Sequence, residues 1–205
     1  MEIAIVGAGN VGGALGKGWR KAGHQVGYAL RDTAGTKVDE LRRGGFNLLA
    51  MTDAGKADVI VLAVPWPNLS DAAKELGRVD GKIIVDATNP LTAEMELALG
   101  FTDSAAETVA RLAPGAHVVK AFNVTGSDNM ALAHAFKTKP MMPVAGDDAP
   151  AKAKVMKLAE DLGFEAVDAG PLKTARLLEP MAIFWIKQAY VQNQGREFAF
   201  ALARR

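Results

Sequence analysis

The chain has 205 residues, 24 Lys and Arg against 23 Asp and Glu, and a formal charge of +1. This length predicts one domain, or one domain with a modest extension, able to bury a real core. The near-neutral charge with no long basic run argues against nucleic acid, and no apolar stretch reaches the ~18 residues of a membrane span. The absence of cysteine excludes disulfides, thiolate metal sites and cysteine nucleophiles, and no other metal-ligand spacing stands out. Met1 leads straight into a strand rather than a secretory leader, so the expected location is the cytoplasm.

Taken in chain order, the first element is a buried strand over Glu2–Val6 that runs into Gly7-Ala-Gly9-Asn10-Val11-Gly12. A strand, a G-x-G-x-x-G turn and a helix opening form the context in which this motif binds a dinucleotide. Gly7 allows the tight turn, Gly9 lets a pyrophosphate approach the backbone, and Gly12 lets the helix pack closely on the sheet. The helix that follows, about Val11 to Ala22 and stopped by Gly23, points free N–H groups and a partial positive charge at the phosphates. Further strands are predicted at Gln25–Leu30, Phe46–Met51, Val59–Val64, Ile83–Asp86, Val118–Ala121, Met142–Ala145 and Glu165–Asp168. The Val59–Val64 run is continuous rather than alternating, as suits a central strand buried on both faces. Ser104-Ala-Ala-Glu107 reads as a capping box opening a helix to about Ala113, and another helix spans Pro150–Leu162.

From Pro171 onward lies the longest helical signal, and Pro180 predicts a kink or a division into two segments. Its apolar run Met181–Ile186 either packs on the sheet or forms a subunit interface, which makes a homodimer through this region the expected assembly. The pattern is that of an α/β fold: a Rossmann-type, doubly wound, mostly parallel sheet with a small C-terminal α/β extension ending in a long kinked helix. The expectation is a single NAD(P)-binding domain over residues 1–205, with a dinucleotide-binding core at 1–123 and the extension at 124–205.

The second strand ends at Leu30-Arg31-Asp32, where a ribose-reading residue is expected. Arg31 suits a forked pairing with a ribose phosphate, with Thr33, Thr36 and Lys37 adding hydroxyls and charge, so NADP(H) is favoured over NAD. Asp32 has three open roles: pairing with Arg31, capping the next helix, or holding a ribose hydroxyl. Around the nicotinamide the candidates are Val64, Pro65 and Trp66 after one strand, Asn89 after the next, and Ala121 and Asn123 after a third. Small and apolar groups there keep water from a hydride. Trp66 seals the cleft or packs in the core; Asn89 and Asn123 bond the carboxamide or only shape turns. No Tyr-x-x-x-Lys pair is present, Lys120 ends a strand rather than sitting on a helix, and His24, His117 and His134 read as structural. No catalytic residue is therefore assigned. Reduction of a carbonyl calls for a placed acid, whereas a flavin-like ring accepts hydride without one.

Several segments together resemble the NADPH:coenzyme F420 oxidoreductase family, and also the reductase domains of the STEAP metalloreductases. They are Ile5–Gly12, Val64-Pro-Trp66, Asp86-Ala-Thr-Asn-Pro-Leu91, Val118-Val-Lys-Ala-Phe-Asn123, Val144-Ala-Gly-Asp-Asp148, Asp168-Ala-Gly-Pro-Leu172 and Ala175-Arg-Leu-Leu-Glu179. The resemblance implies that Gly9, Asn10 and Val11 meet the pyrophosphate and Arg31 the 2′-phosphate. It also implies that Val64, Pro65 and Trp66 line the nicotinamide pocket opposite Ala121 and Asn123, with a deazaflavin (coenzyme F420) or flavin as the small-molecule partner. Where the family carries a Ser-Arg pair followed by a basic residue, this chain has Leu30-Arg31-Asp32, and the loop Leu91–Asp103 also differs. Two other readings are a reductase of a small imine or keto acid and a non-catalytic NADP sensor.

Overall fold

A computed structural model describes residues 1–205. In chain order it contains β1 (Glu2–Val6), α1 (Asn10–Lys21), β2 (Gln25–Ala29), α2 (Thr36–Arg43), β3 (Asn47–Leu49), β4 (Val59–Leu62) and α3 (Leu69–Lys74). There follow β5 (Ile83–Asp86), α4 (Ala105–Leu112), β6 (His117–Lys120), α5 (Ser127–Met130), β7 (Met141–Gly146), α6 (Ala149–Asp161), β8 (Glu165–Asp168) and α7 (Ala175–Ile186). The strands form one sheet in the order β3-β2-β1-β4-β5-β6-β7-β8.

The apolar runs become central strands because the sheet is covered on both faces. Ile3 and Ile5 join a cluster with Leu15 and Trp19 of α1, while Ala4 and Val6 join the opposite cluster with Leu69 and Ala72 of α3. A strand buried on both sides has no polar face to alternate with, which accounts for the unbroken Val59–Leu62 run. Chain order reverses at β1, flanked by β2 and β4, so the crevice beyond their carboxyl ends is where an open α/β sheet takes its ligand.

Three features differ from the sequence expectations in detail. Strand β7 runs antiparallel to β6, with Val119 opposite Gly146, and then pairs in parallel with β8. The two-segment alternative at Pro180 does not occur: α7 continues across it and widens into a π turn over Lys187–Val191. Pro180 lacks the donor for the Arg176 carbonyl, but buried Leu178, Glu179, Ala182 and Trp185 hold the helix in place. Helices α2 and α3 are too short for a clear periodic signal, and α2 is also heavily charged. Ser104 does cap α4: its Oγ accepts from the Glu107 N–H at 3.2 Å and donates to the Glu107 carboxylate at 2.7 Å. No helix is long and apolar enough to cross a membrane.

Candidate functional site

The glycine turn leaves β1 with Gly7 at φ +104°, a backbone region that side chains disfavour. Gly12 sits where a Cβ would lie 2.2 Å from the Gly7 carbonyl oxygen, so only glycine lets α1 start this close to the turn. Tyr28 locks the arrangement from β2 by donating its hydroxyl to the Gly12 carbonyl at 3.1 Å. Burial pushes the Tyr28 phenol up to about 12, so it remains a donor at any physiological pH. Gly9 differs from its neighbours, because a Cβ there would meet no atom within 4 Å. No side chain caps the N-terminus of α1, and no acidic residue lies in its first turn. An open cradle over uncapped amides is what a pyrophosphate requires, and Asn10 and Val11 supply the first amides of the helix.

Beyond β2 and β4 lies a small cavity of about 130 Å³ lined by Val6, Gly7, Leu30, Arg31, Met51 and Val64, among others. Arg31 stands at its rim, and its Nε donates to Glu75 Oε2 at 2.7 Å. The open roles of Asp32 narrow, since its Oδ1 accepts from the Ala34 N–H at 2.9 Å and so caps the turn that follows. The carbonyl of Thr33 accepts from Arg42, while Lys37 lines a wider cavity of about 1150 Å³. That open groove runs over α1 between α2 and the segment after Gly126, and meets the glycine turn at Ala8, Gly9 and Asn10. The larger volume is therefore beside the strand ends rather than on them. Arg31 and Lys37, grouped in the sequence, line different cavities.

At the end of β4, Val64 and Trp66 are half-buried against the core on the α3 side, and Pro65 is exposed. Trp66 packs part of its surface against this core. The loops after β5 and β6 are joined by an asparagine pair. Asn89 Nδ2 donates to the Asn123 carbonyl, and Asn123 Nδ2 donates to Asn89 Oδ1 and to the Leu178 carbonyl, each at 3.0 Å. These bonds leave Asn123 Oδ1 as a buried acceptor without a partner. Such an atom costs about 1–3 kcal/mol unless something donates to it.

Two features here carried no plain sequence signal. Phe122, between Ala121 and Asn123, is fully buried at φ +59°, an outlier for a bulky residue. Its ring meets Trp19 edge-on at 5.3 Å, and its N–H points to Met142 Sδ at 3.1 Å. The packing holds a backbone bend that directs Asn123 inward, and local strain of this kind gathers at binding sites. The second is a buried ion cluster. Lys120 Nζ lies 2.9 Å from Asp86 Oδ2 and 2.8 Å from Glu179 Oε1, and all three side chains are sealed from solvent. Lys120 also donates to the Thr88 carbonyl, Asp86 Oδ1 accepts from the Thr88 hydroxyl at 2.7 Å, and Glu179 accepts from the Ala105 N–H at 3.0 Å. Burial alone would lower the Lys120 pKa, but the charges of Asp86 and Glu179 outweigh it and hold the ammonium above its ordinary range. Burial likewise pushes the Glu179 carboxyl up. The only hint in the sequence was a lysine inside the apolar Val118–Ala121 run.

His24 Nε2 lies 3.0 Å from Asp161 Oδ2, and His117 Nδ1 lies 3.5 Å from Asp148 Oδ2. Asp86 and Lys120, the ionisable groups at the ends of β5 and β6, are bound to each other and fully buried. This arrangement suits chemistry that needs reactants aligned rather than protonated.

Comparison with known proteins agrees with this geometry. Residues 2–90 match the family described as NADP oxidoreductase, coenzyme F420-dependent. A crystal structure from Arthrobacter sp. FB24, assigned as an F420-dependent NADP reductase, is 29% identical and superposes with a TM-score of 0.87. The match covers 98% of this chain and 99% of that one. The hypothetical protein SMa0349 of Sinorhizobium meliloti is 30% identical with a TM-score of 0.76, over 86% of this chain and 88% of that one. Metalloreductase STEAP3 of Rattus norvegicus is 28% identical over 187 residues, which is 89% of this chain and 36% of that protein. The chain thus spans about a third of the length of this curated relative.

Proposed function

We propose that the chain, whose residues 2–90 match the coenzyme F420-dependent NADP oxidoreductase family, passes a hydride between NADP(H) and a deazaflavin or flavin ring. It is an NADP-dependent oxidoreductase; the ring as hydride partner is our reading. One observation supports it most: the ionisable side chains at the ends of β5 and β6, Asp86 and Lys120, are sealed into a buried cluster and so are not free to protonate a developing alkoxide. NADPH, when bound, supplies the hydride. The uncapped amides of α1 hold the pyrophosphate beside Gly9, and Arg31 grips the 2′-phosphate with the donors that Glu75 leaves free. Asn123 Oδ1 accepts from the carboxamide, which would satisfy the one buried side-chain acceptor left without a partner. Val64, Pro65, Trp66 and Ala121 form the walls that exclude water. The rate then comes from alignment of two rings.

The test follows NADPH absorbance with coenzyme F420, FMN, FAD, ferric citrate and a panel of small carbonyls and imines. Oxidation with a deazaflavin or flavin is expected, and its single-turnover rate should be nearly flat between roughly pH 6 and pH 9, since no essential acid or base titrates. Turnover only with carbonyls or imines, or a steep bell in the chemical step, would count against the reading. Binding without turnover under any acceptor would point to a sensor.

Arg31→Ala should weaken NADPH by about 1–3 kcal/mol, the range of a charge-assisted hydrogen bond, and leave NADH nearly unchanged. Equal loss for the two nucleotides in a binding titration would remove the phosphate assignment. The proposal also includes a homodimer in the cytoplasm. Leu177 and Phe184 are seven residues apart on α7 and 63% and 56% exposed, and Val191 on the π turn is 64% exposed, apolar side chains suited to a second copy.

A further inference from the structure

The ribose end of the crevice contains an acid that is remote in sequence. Glu75 lies 44 residues beyond Arg31, yet its carboxylate accepts from the Arg31 Nε at 2.7 Å. It follows directly on α3, three residues after Ala72, which lines the small cavity together with Arg31. Residues three apart share a helix face, so α3 brings Glu75 to the side of that cavity. The neighbouring acid, Asp32, is occupied with the Ala34 N–H. Glu75 is therefore the carboxylate paired with the guanidinium that our reading assigns to the 2′-phosphate.

Two consequences follow for a bound nucleotide. Glu75 occupies one of the five donors of Arg31, and its charge repels a phosphate brought to the same guanidinium. The side chains are 42% and 43% exposed, so the pair is weakly held and sensitive to salt. A ribose without the phosphate suffers neither effect. We propose that Glu75 is a specificity-determining residue that competes with the 2′-phosphate for Arg31 and narrows the margin by which the chain prefers NADPH to NADH. This rests on the assignment of Arg31 above.

Fluorescence titration of NADPH and NADH against the wild type, Glu75→Gln, Arg31→Ala and the double variant tests it, with no acceptor needed. Glu75→Gln should bind NADPH about 2- to 5-fold more tightly at low salt, the range an exposed pair's coupling allows, with no gain for NADH. The gain should shrink in about 0.5 M salt and in the Arg31→Ala background. Unchanged or weaker NADPH binding by Glu75→Gln overturns the proposal; weaker binding would mean that Glu75 orients Arg31 instead. If Arg31→Ala weakens both nucleotides equally, the phosphate assignment falls and takes this inference with it. If Arg31→Ala is selective and Glu75→Gln has no effect, only the inference about Glu75 fails. Thermal unfolding of each variant checks that the fold is retained.

Discussion

Lys120→Met is expected to cost about 3–5 kcal/mol of folding stability, the usual result of removing one partner from a buried ion cluster. The substitution leaves Asp86 and Glu179 without their shared cation in a region sealed from solvent. The cluster ties four elements together. Asp86 ends β5, Lys120 ends β6, Glu179 belongs to α7, and the Glu179 carboxylate also holds the first amide of α4. For a chain of this size the loss corresponds to a fall in melting temperature of about 6–20 °C. A melt within about 2 °C of the wild type would show that the cluster does not hold these elements. The same lysine sets a pH dependence. Its folded-state pKa lies above the ordinary 10.5, so its contribution is whole below that value and is lost as pH rises through the raised one. The wild type should therefore lose stability into alkali through this residue, and Lys120→Met should lack that component.

The strands were legible because a sheet covered on both faces writes itself as uninterrupted apolar runs. Glu2–Val6 and Ile83–Asp86 fall where the pattern places them. The direction of β7 was not legible, since a buried strand has the same composition whether it runs parallel or antiparallel to its neighbour. At Pro180 the sequence left a kink and a division into two segments both open, and the division is excluded by the buried side chains that anchor α7 on either side of the proline.

The site divides in the same way. Glycine roles at Gly7 and Gly12 follow from a local motif, and the structure supplies the close approach that requires them. The partner of Arg31 comes from a helix 44 residues away, and the partners of Asn123 come from Asn89 and Leu178. No local spacing encodes such pairs. The left-handed backbone at Phe122 is imposed by Trp19 and Met142, so phenylalanine itself gives no sign of it.

Gly9→Ala and Gly12→Ala should separate binding from folding within a single turn. A methyl at Gly9 meets no atom within 4 Å, and Gly9 has a negative φ of −70°, so the backbone accepts alanine without strain. Stability should stay within about 0.5 kcal/mol of the wild type, as for an ordinary surface change. The methyl would, however, stand in the cradle assigned to the pyrophosphate, and NADPH affinity should fall by about tenfold or more, at least about 1.4 kcal/mol. Gly12→Ala should do the reverse first. Its methyl would lie 2.2 Å from the Gly7 carbonyl oxygen and 3.2 Å from Ile5, so α1 must move away from the turn that it supports. Overpacking of this kind costs about 1–3 kcal/mol, and displacement of the helix N-terminus should then weaken the nucleotide as well. Paired melts and NADPH titrations on the two variants read the difference. Full affinity in a folded Gly9→Ala protein would mean that the pyrophosphate does not approach this backbone, and the placement of the nucleotide along the turn would have to be abandoned.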